Sequence, residues 1–545
     1  MRKICLFVLS ALLIGVAGKS QGNYSDFARQ SSRLQELARS HPKYAQLKSL
    51  AKTSGNRDIW LLTLGAANAD SRPAIAIAGG VEGNNPLSTE LVIGFAEELL
   101  RDIGSDSVRQ LLEKTTFYLF PNMSPDAMEQ YFAKLQYERT GNARSTDDDR
   151  DGKSDEDGME DLDGDGKITF MRIASPVGEF LLHPDDNRVL VKADPAKPQV
   201  GKYLLMQEGI DNDKDGKWNE DGEGGVAFNK NMSFKHPSFT PGAGEFPISE
   251  IENRAMLDFL FERFNVYAVV NFSSHNNLSQ PNTFNQAQAN APVISGWQDA
   301  DVKVNGTVSE VYNKIIKQKD APKSPNPGGD FQSWAYFHYN RFAFSTPGWW
   351  VPKTKPDSTK QEKAFTQEDP VANYLRWAGQ NGVENYFTPW KKINHPDFPN
   401  QEVEVGGVHP FVMHTPPYQL TKDIVRKHKQ FVVELAGMQP ELDLLNLKTE
   451  KLGQGITRVT VDVANLGLLP SHTKLGERSY WIKRILVTAG LAKGQEIISG
   501  RARHTLGALP GQSSETISWL IKGSGILTLE AGSPTTGTKS IKVSL

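Results

Sequence analysis

The 545-residue sequence predicts an α/β sheet covered by helices on both faces, followed by an all-β sandwich. Two observations carry this. Up to about residue 440, apolar strand-like runs alternate with helix-like segments, the pattern of an α/β layer structure. From 441 onward the texture changes to short alternating runs broken by turn residues, which suits a β-sandwich.

Taken in chain order, the first segment is a leader. Met1-Arg2-Lys3 is basic, residues 4–17 are apolar, and Gly18, Lys19 and Ser20 close the run. This is the pattern of a secretory signal peptide over 1–20, and it predicts a secreted or periplasmic protein. The run is too short to span a bilayer comfortably, and no later segment is apolar enough to do so. The single cysteine, Cys5, lies inside the leader, so no disulfide is expected in the exported chain. With 61 basic and 64 acidic residues, the charge balance gives no reason to propose nucleic acid as a partner.

After the leader, residues 27–50 carry helical periodicity. Strands are predicted at 59–64, 74–78, 116–120 and 267–272, and helices at 87–100, 250–264 and 422–435. The expected organisation is a main domain over 21–440, with an acidic insert around 145–225, and an accessory sandwich over 441–545. Strand-like runs at 456–463, 480–488, 516–521 and 526–530 make up the latter.

The insert contains three Asp-x-Asp-x-Asp-Gly loops: Asp147, Asp149 and Asp151; Asp161, Asp163 and Asp165; and Asp211, Asp213 and Asp215. Carboxylates at alternate positions around a tight turn, with Gly supplying positive φ, are hard oxygen ligands suited to calcium. The twelfth loop positions are Gly158, Arg172 and Gly222, so these are not EF-hands. Calcium outside the cell would brace a chain without disulfides.

The loop Gly79-Gly80-Val81-Glu82-Gly83-Asn84-Asn85-Pro86 joins the strand at 74–78 to the helix at 87–100. Open α/β sheets place their chemistry in such loops. It resembles the zinc-binding loop Gly-Gly-x-His-Gly-x-Glu-Pro of the zinc metallocarboxypeptidases, the carboxypeptidase A-like family. Further points of similarity are the turn at 53–57 leading into a strand, the turn Pro121-Asn122-Met123-Ser124-Pro125-Asp126-Ala127, and His275 after the strand at 267–272. The resemblance spans about residues 34–435. It implies a mixed central sheet flanked by helices, zinc as cofactor, and a peptide or peptidoglycan fragment as partner.

The resemblance also sets out a damaged site. Glu82 stands where a zinc-binding His is expected and Asn85 where a Glu is expected, leaving Glu82 and His275 as the remnant of the metal site. Pro347 stands where the family places its general base, and Glu404, on a later strand, is the acid left to take that role. The family's carboxylate-binding arginines and Asn-Arg pair point to Arg139, Asn142 and Arg144, and Tyr336 falls in its Ala-Tyr segment. Three readings follow: a binding protein that lost catalysis, an active carboxypeptidase with a rearranged site drawing on His409 or His414, or a calcium-braced envelope structural protein.

Overall fold

The computed structural model describes residues 23–148, 152–194, 196–222, 224–326, 328–354 and 369–545. The leader at 1–20, with Cys5, lies outside the described residues, as do Asp149 and Asp151. No helix among the described residues is long and apolar enough to cross a membrane.

A six-stranded mixed sheet forms the centre. Its order is Ala45–Lys52, Asp58–Leu64, Thr116–Phe120, Ala74–Ala78, Val266–Phe272 and Phe342–Thr346. The first two pairings are antiparallel and the last three parallel. Successive strand residues point to opposite faces. Ile75 and Ile77 therefore enter one apolar layer, with Leu91 and Phe95 of helix Pro86–Arg101 and Phe431 and Leu435 of helix Tyr418–Gly437. Ala74, Ala76 and Ala78 enter the other, with Leu257 and Leu260 of helix Ile251–Phe261 and Trp334 of helix Phe331–Phe337. Both faces are buried, which is why these strands read as continuous apolar runs.

The helix expected over 27–50 is two elements. Helix Phe27–Ser40 ends at His41, and Ala45–Lys52 is an edge strand paired antiparallel with Asp58–Leu64. Pro42 explains the break, since it can neither donate the next helical hydrogen bond nor let His41 stay helical. The run expected as a strand over 480–488 is strand only from Leu486, in Leu486–Gly490.

A second six-stranded sheet was not foreseen. Its order is Phe387–Ile393, Val403–Val408, Phe170–Ala174, Tyr203–Gln207, Phe180–Leu182 and Leu190–Lys192. It joins the acidic insert to a segment some two hundred residues later around Met171, Ile173, Val403 and Val405.

Beyond residue 441, two four-stranded antiparallel sheets enclose a separate core that includes Val459, Val461, Trp519 and Leu529. The segment between its strands returns to the central layer structure. Leu475 packs into the same cluster as Trp334, and Asp301 accepts hydrogen bonds from the backbone N–H groups of Lys474 and Leu475.

Candidate functional site

The three parallel strands Ala74–Ala78, Val266–Phe272 and Phe342–Thr346 end side by side, with Ala78 opposite Asn271 and Thr346 opposite Phe272. The segments that follow them converge on a cleft of about 690 Å³ at the carboxyl edge of the sheet. Glu82, Ser274, His275, Asp330, Pro347, Trp349 and Trp350 are among its lining residues. The first loop is shaped by glycines. Gly80 adopts φ 57°, and a Cβ on Gly83 would lie 2.3 Å from that of Ala127.

Glu82 reaches into the cleft but is already engaged. Its Oε1 accepts from Ser274 Oγ at 2.6 Å and from Asn229 Nδ2 at 3.0 Å, and its Oε2 from Ser274 N at 3.0 Å. Asn85 faces the helix rather than an ion: it is the N-cap of Pro86–Arg101, its Oδ1 accepting from Ser88 N. The strand Val266–Phe272 delivers Ser273 at its edge, buried on Ser345 and Asn271. His275 follows two residues later. Its ring is buried, neither nitrogen makes a hydrogen bond, and Nε2 stands 3.4 Å from Asp330 Oδ1. Asp330 is 3% exposed and caps helix Phe331–Phe337 through Ser333 N.

These donors do not fit a zinc ion. A tetrahedral site with bonds of about 2.0–2.1 Å needs its ligand atoms about 3.4 Å apart. Among the described residues, no three His, Cys, Asp or Glu ligand atoms in the cleft come within 4.8 Å of one another. Pro347 lines the cleft at the expected place of the base and can hold no proton.

Several expected site residues are elsewhere. Glu404 lies on the second sheet and forms an ion pair with Arg172 at 2.7 Å. It is not part of the cleft lining, so it does not replace the missing base. Arg139 spends its guanidinium on the carbonyls of Gly141 and Asn142. Asn142 is buried between Glu250 and Glu252, and Arg144 pairs with Glu250 and Glu245. Tyr336 stacks on Trp297 and donates its hydroxyl to Asp301. His409 lines a different groove, beside Arg188 and Trp390, while His414 does reach the cleft.

The Asn–cation pair that does reach the cleft is Asn229-Lys230, in Phe228–Lys230. Asn229 bridges two walls, donating to Glu82 and accepting from Phe331 N. Sequence reasoning missed it, along with Ser274, Asp330, Trp349 and Trp350. The available signal was the pair Asn229-Lys230 itself, an amide next to a cation.

In the insert, carboxylate oxygens of Asp161, Asp163 and Glu208 lie within 4.8 Å of one another, as do those of Asp211, Asp213 and Asp215. Gly152 N donates to Asp147, and Thr388 donates to Asp165. The first and third loops embrace reciprocally. Asp157 accepts from the N–H groups of Asn212 and Asn219, and Asp221 from the equivalent N–H groups of Asp148 and Asp155. Glu208, fully buried, has its carboxyl pushed up to about 6, chiefly by desolvation, with Asp163 and Asp161 adding to it.

Residues 31–347 match the family model described as zinc carboxypeptidase, and residues 441–544 match a domain of unknown function. Carboxypeptidase D of Rattus norvegicus is 30% identical over 134 residues, covering 24% of this chain and 10% of that protein. Carboxypeptidase E of Caenorhabditis elegans is 27% identical over 113 residues, covering 20% and 24%. The matched stretch thus spans about a tenth of the carboxypeptidase D relatives. Thrombin activatable fibrinolysis inhibitor aligns in structure at a TM-score of 0.42 and 10% identity, covering 76% of this chain and 73% of that one.

Proposed function

Because this chain belongs to the zinc carboxypeptidase family, we propose that it is a secreted, non-hydrolysing member whose cleft binds the end of a peptide or a peptidoglycan fragment. The observation that carries the reading is the engagement of Glu82 by Ser274 and Asn229, with Asn85 turned into a helix cap. Two expected metal ligands have become structural groups. An amide is also a poor zinc ligand. Exposed Lys230 and Lys323 stand at the cleft to meet a terminal carboxylate. The 441–545 sandwich is an accessory unit fixed to the 21–440 domain.

Incubation with unblocked tripeptides in the presence of zinc tests this. The expected result is saturable binding, followed by calorimetry, with no released terminal residue detected by chromatography. Release that disappears in His275→Ala would instead establish an active, rearranged carboxypeptidase.

The acidic insert is proposed to hold calcium. The supporting observation is Glu208, a buried acid held against Asp161 and Asp163, where a cation would relieve their mutual repulsion. Calcium at a hundred times its Kd stabilises a protein by about 2.7 kcal/mol per site. The melting temperature is therefore expected to rise with millimolar calcium and fall with chelator, less so in Glu208→Gln. A chelator-insensitive melt would overturn the proposal.

A further inference from the structure

We propose that the ridge at Tyr480, where the C-terminal sandwich meets the main domain, is a binding surface for an acidic polysaccharide, a chain of pyranose rings that carry carboxylates. This surface is separate from the cleft and does not depend on how the cleft is read.

The ridge belongs to the segment between strands Ile456–Asn465 and Leu486–Gly490. A groove of about 660 Å³ lies on its main-domain side, beside Val293, Phe337 and Trp481, and one of about 840 Å³ on its sandwich side, beside Thr505 and Pro534. Ser479 and Tyr480 line both, so the two grooves meet at the ridge. Tyr480 is 78% exposed and Val293 82%. Large apolar side chains left open together mark an interaction surface. The Tyr480 ring is nevertheless held in place. Trp481 meets it edge-on at 5.7 Å and 81°, and Trp481 itself packs on Phe261 at 4.5 Å.

Charge is the second, independent observation. The chain as a whole carries a formal charge of −3. The two grooves reverse that balance. Lys235 and Arg478 line the first, Lys483 and Arg484 the second, and the one carboxylate among the described lining residues is Asp70. Asp70 is already met by Arg263 at 3.1 Å and by the Tyr118 hydroxyl at 2.6 Å. Among the described residues none of the four cations forms an ion pair with Asp or Glu, and Glu477 beside Arg478 is taken by Lys474. Lys483 sits instead between aromatic rings, 4.4 Å from the Phe264 centroid and 4.5 Å from that of Tyr480. Its ammonium is positioned without being neutralised.

A uronate ring matches both features at once. Its C–H face is apolar and can lie on an open phenol ring, while its carboxylate stands at the ring edge, where cations beside Tyr480 can meet it. Arg478 offers a planar fork for that group, as does Arg484, which spends one N–H on the Glu477 carbonyl. The hydroxyl residues Ser71, Thr505 and Thr538 line the sandwich-side groove and suit a hydroxylated ligand. A single-stranded nucleic acid would need a row of stacking platforms. Here Tyr480 alone is widely open, Trp481 being 36% exposed.

Affinity electrophoresis of the full chain tests this, through gels that hold polygalacturonate or alginate, two polyuronates of different ring stereochemistry. Esterified forms of each keep the rings and remove the charge, and oligo-dT serves as a rival polyanion. At least one polyuronate is expected to retard the protein about tenfold more strongly than its ester or oligo-dT does, and less so as salt rises. Tyr480→Ala should weaken the retardation about tenfold, and Arg478→Gln with Lys483→Gln should abolish the preference for acid over ester, each at an unchanged melting temperature. No retardation of the wild type by either polyuronate overturns the inference, as does equal retardation by the esters. Equal retardation by oligo-dT overturns it too, since it would mark a general polyanion surface. These wild-type comparisons decide even where a variant fails to fold, and an undiminished preference in the folded variants would likewise overturn the assignment to this ridge.

Discussion

Replacing Asp301 by Ala is expected to destabilise the protein by at least about 3 kcal/mol and to loosen the attachment of the C-terminal sandwich. Asp301 is 2% exposed on helix Asp299–Ile316. It accepts from Tyr336 Oη at 2.8 Å, Lys474 N at 2.7 Å and Leu475 N at 3.2 Å. The carboxyl thus joins the helical layer to the segment that runs between sandwich strands Ile456–Asn465 and Leu486–Gly490. Removing it leaves three donors without an acceptor in a buried place, and each such loss costs about 1–3 kcal/mol. Asp301→Asn keeps one acceptor oxygen and should fall between the two. Urea denaturation gives the stability, and limited proteolysis around residues 469–482 reports the loosening. A loss under about 1 kcal/mol with unchanged proteolysis would show that apolar packing of Leu475 alone fixes the two units.

The second large effect concerns Glu252, and its size depends on pH. This carboxyl is 2% exposed, and its pKa is pushed up to about 7, chiefly by desolvation, with Glu250 and Asp126 adding and a hydrogen bond from Asn142 opposing. Arg144 faces Glu250, and Arg57 faces Asp126, so neither cation is spent on Glu252 itself. An acid raised in the folded state is protonated more readily there than in the unfolded chain. Its contribution is fully present below pH 4.5, declines as pH rises through about 7, and is absent above. The span corresponds to about 3 kcal/mol as an upper figure. Glu252→Gln, which keeps the acceptor for Asn142 and adds a donor among acids, should match the wild type near pH 4. It should exceed the wild type in stability at pH 8. A variant less stable than the wild type at pH 8 would show that the ionised carboxylate is needed in that cluster.

The central layer was readable because its strands are buried on both faces. Ala74–Ala78 is an unbroken apolar run and Val266–Phe272 is apolar but for Asn271, and little but a buried parallel strand gives that pattern between turn signals. The second sheet was hidden for the opposite reason. Phe180–Leu182 and Leu190–Lys192 are three residues each, and Arg172 meets its partner Glu404 across 232 residues of chain. Periodicity within a window does not reveal such a pairing.

The site divides in the same way. Glu82, Asn85, His275 and Pro347 could be read because a loop or a strand end fixes their position locally. What those residues do there is decided by partners distant in sequence. Ser274 is 192 residues from Glu82 and Asn229 is 147, and together they turn a candidate ligand into a hydrogen-bonded wall. Arg139 and Asn142 had the right chemistry for a carboxylate. The turn at 139–142 closes on itself, however, and its own carbonyls and the acids Glu250 and Glu252 take up those donors. Residue type was informative and direction was not.

Loss of the family's zinc site is tested most directly by titrating metal-free protein with zinc while its metal content is read by elemental mass spectrometry after dialysis, beside His275→Ala. Zinc retained far below one equivalent, and equally in both proteins, is the predicted result. Retention of close to one equivalent that His275→Ala abolishes would contradict it, and would mean that the cleft closes around a metal with ligands other than those the resting geometry brings together.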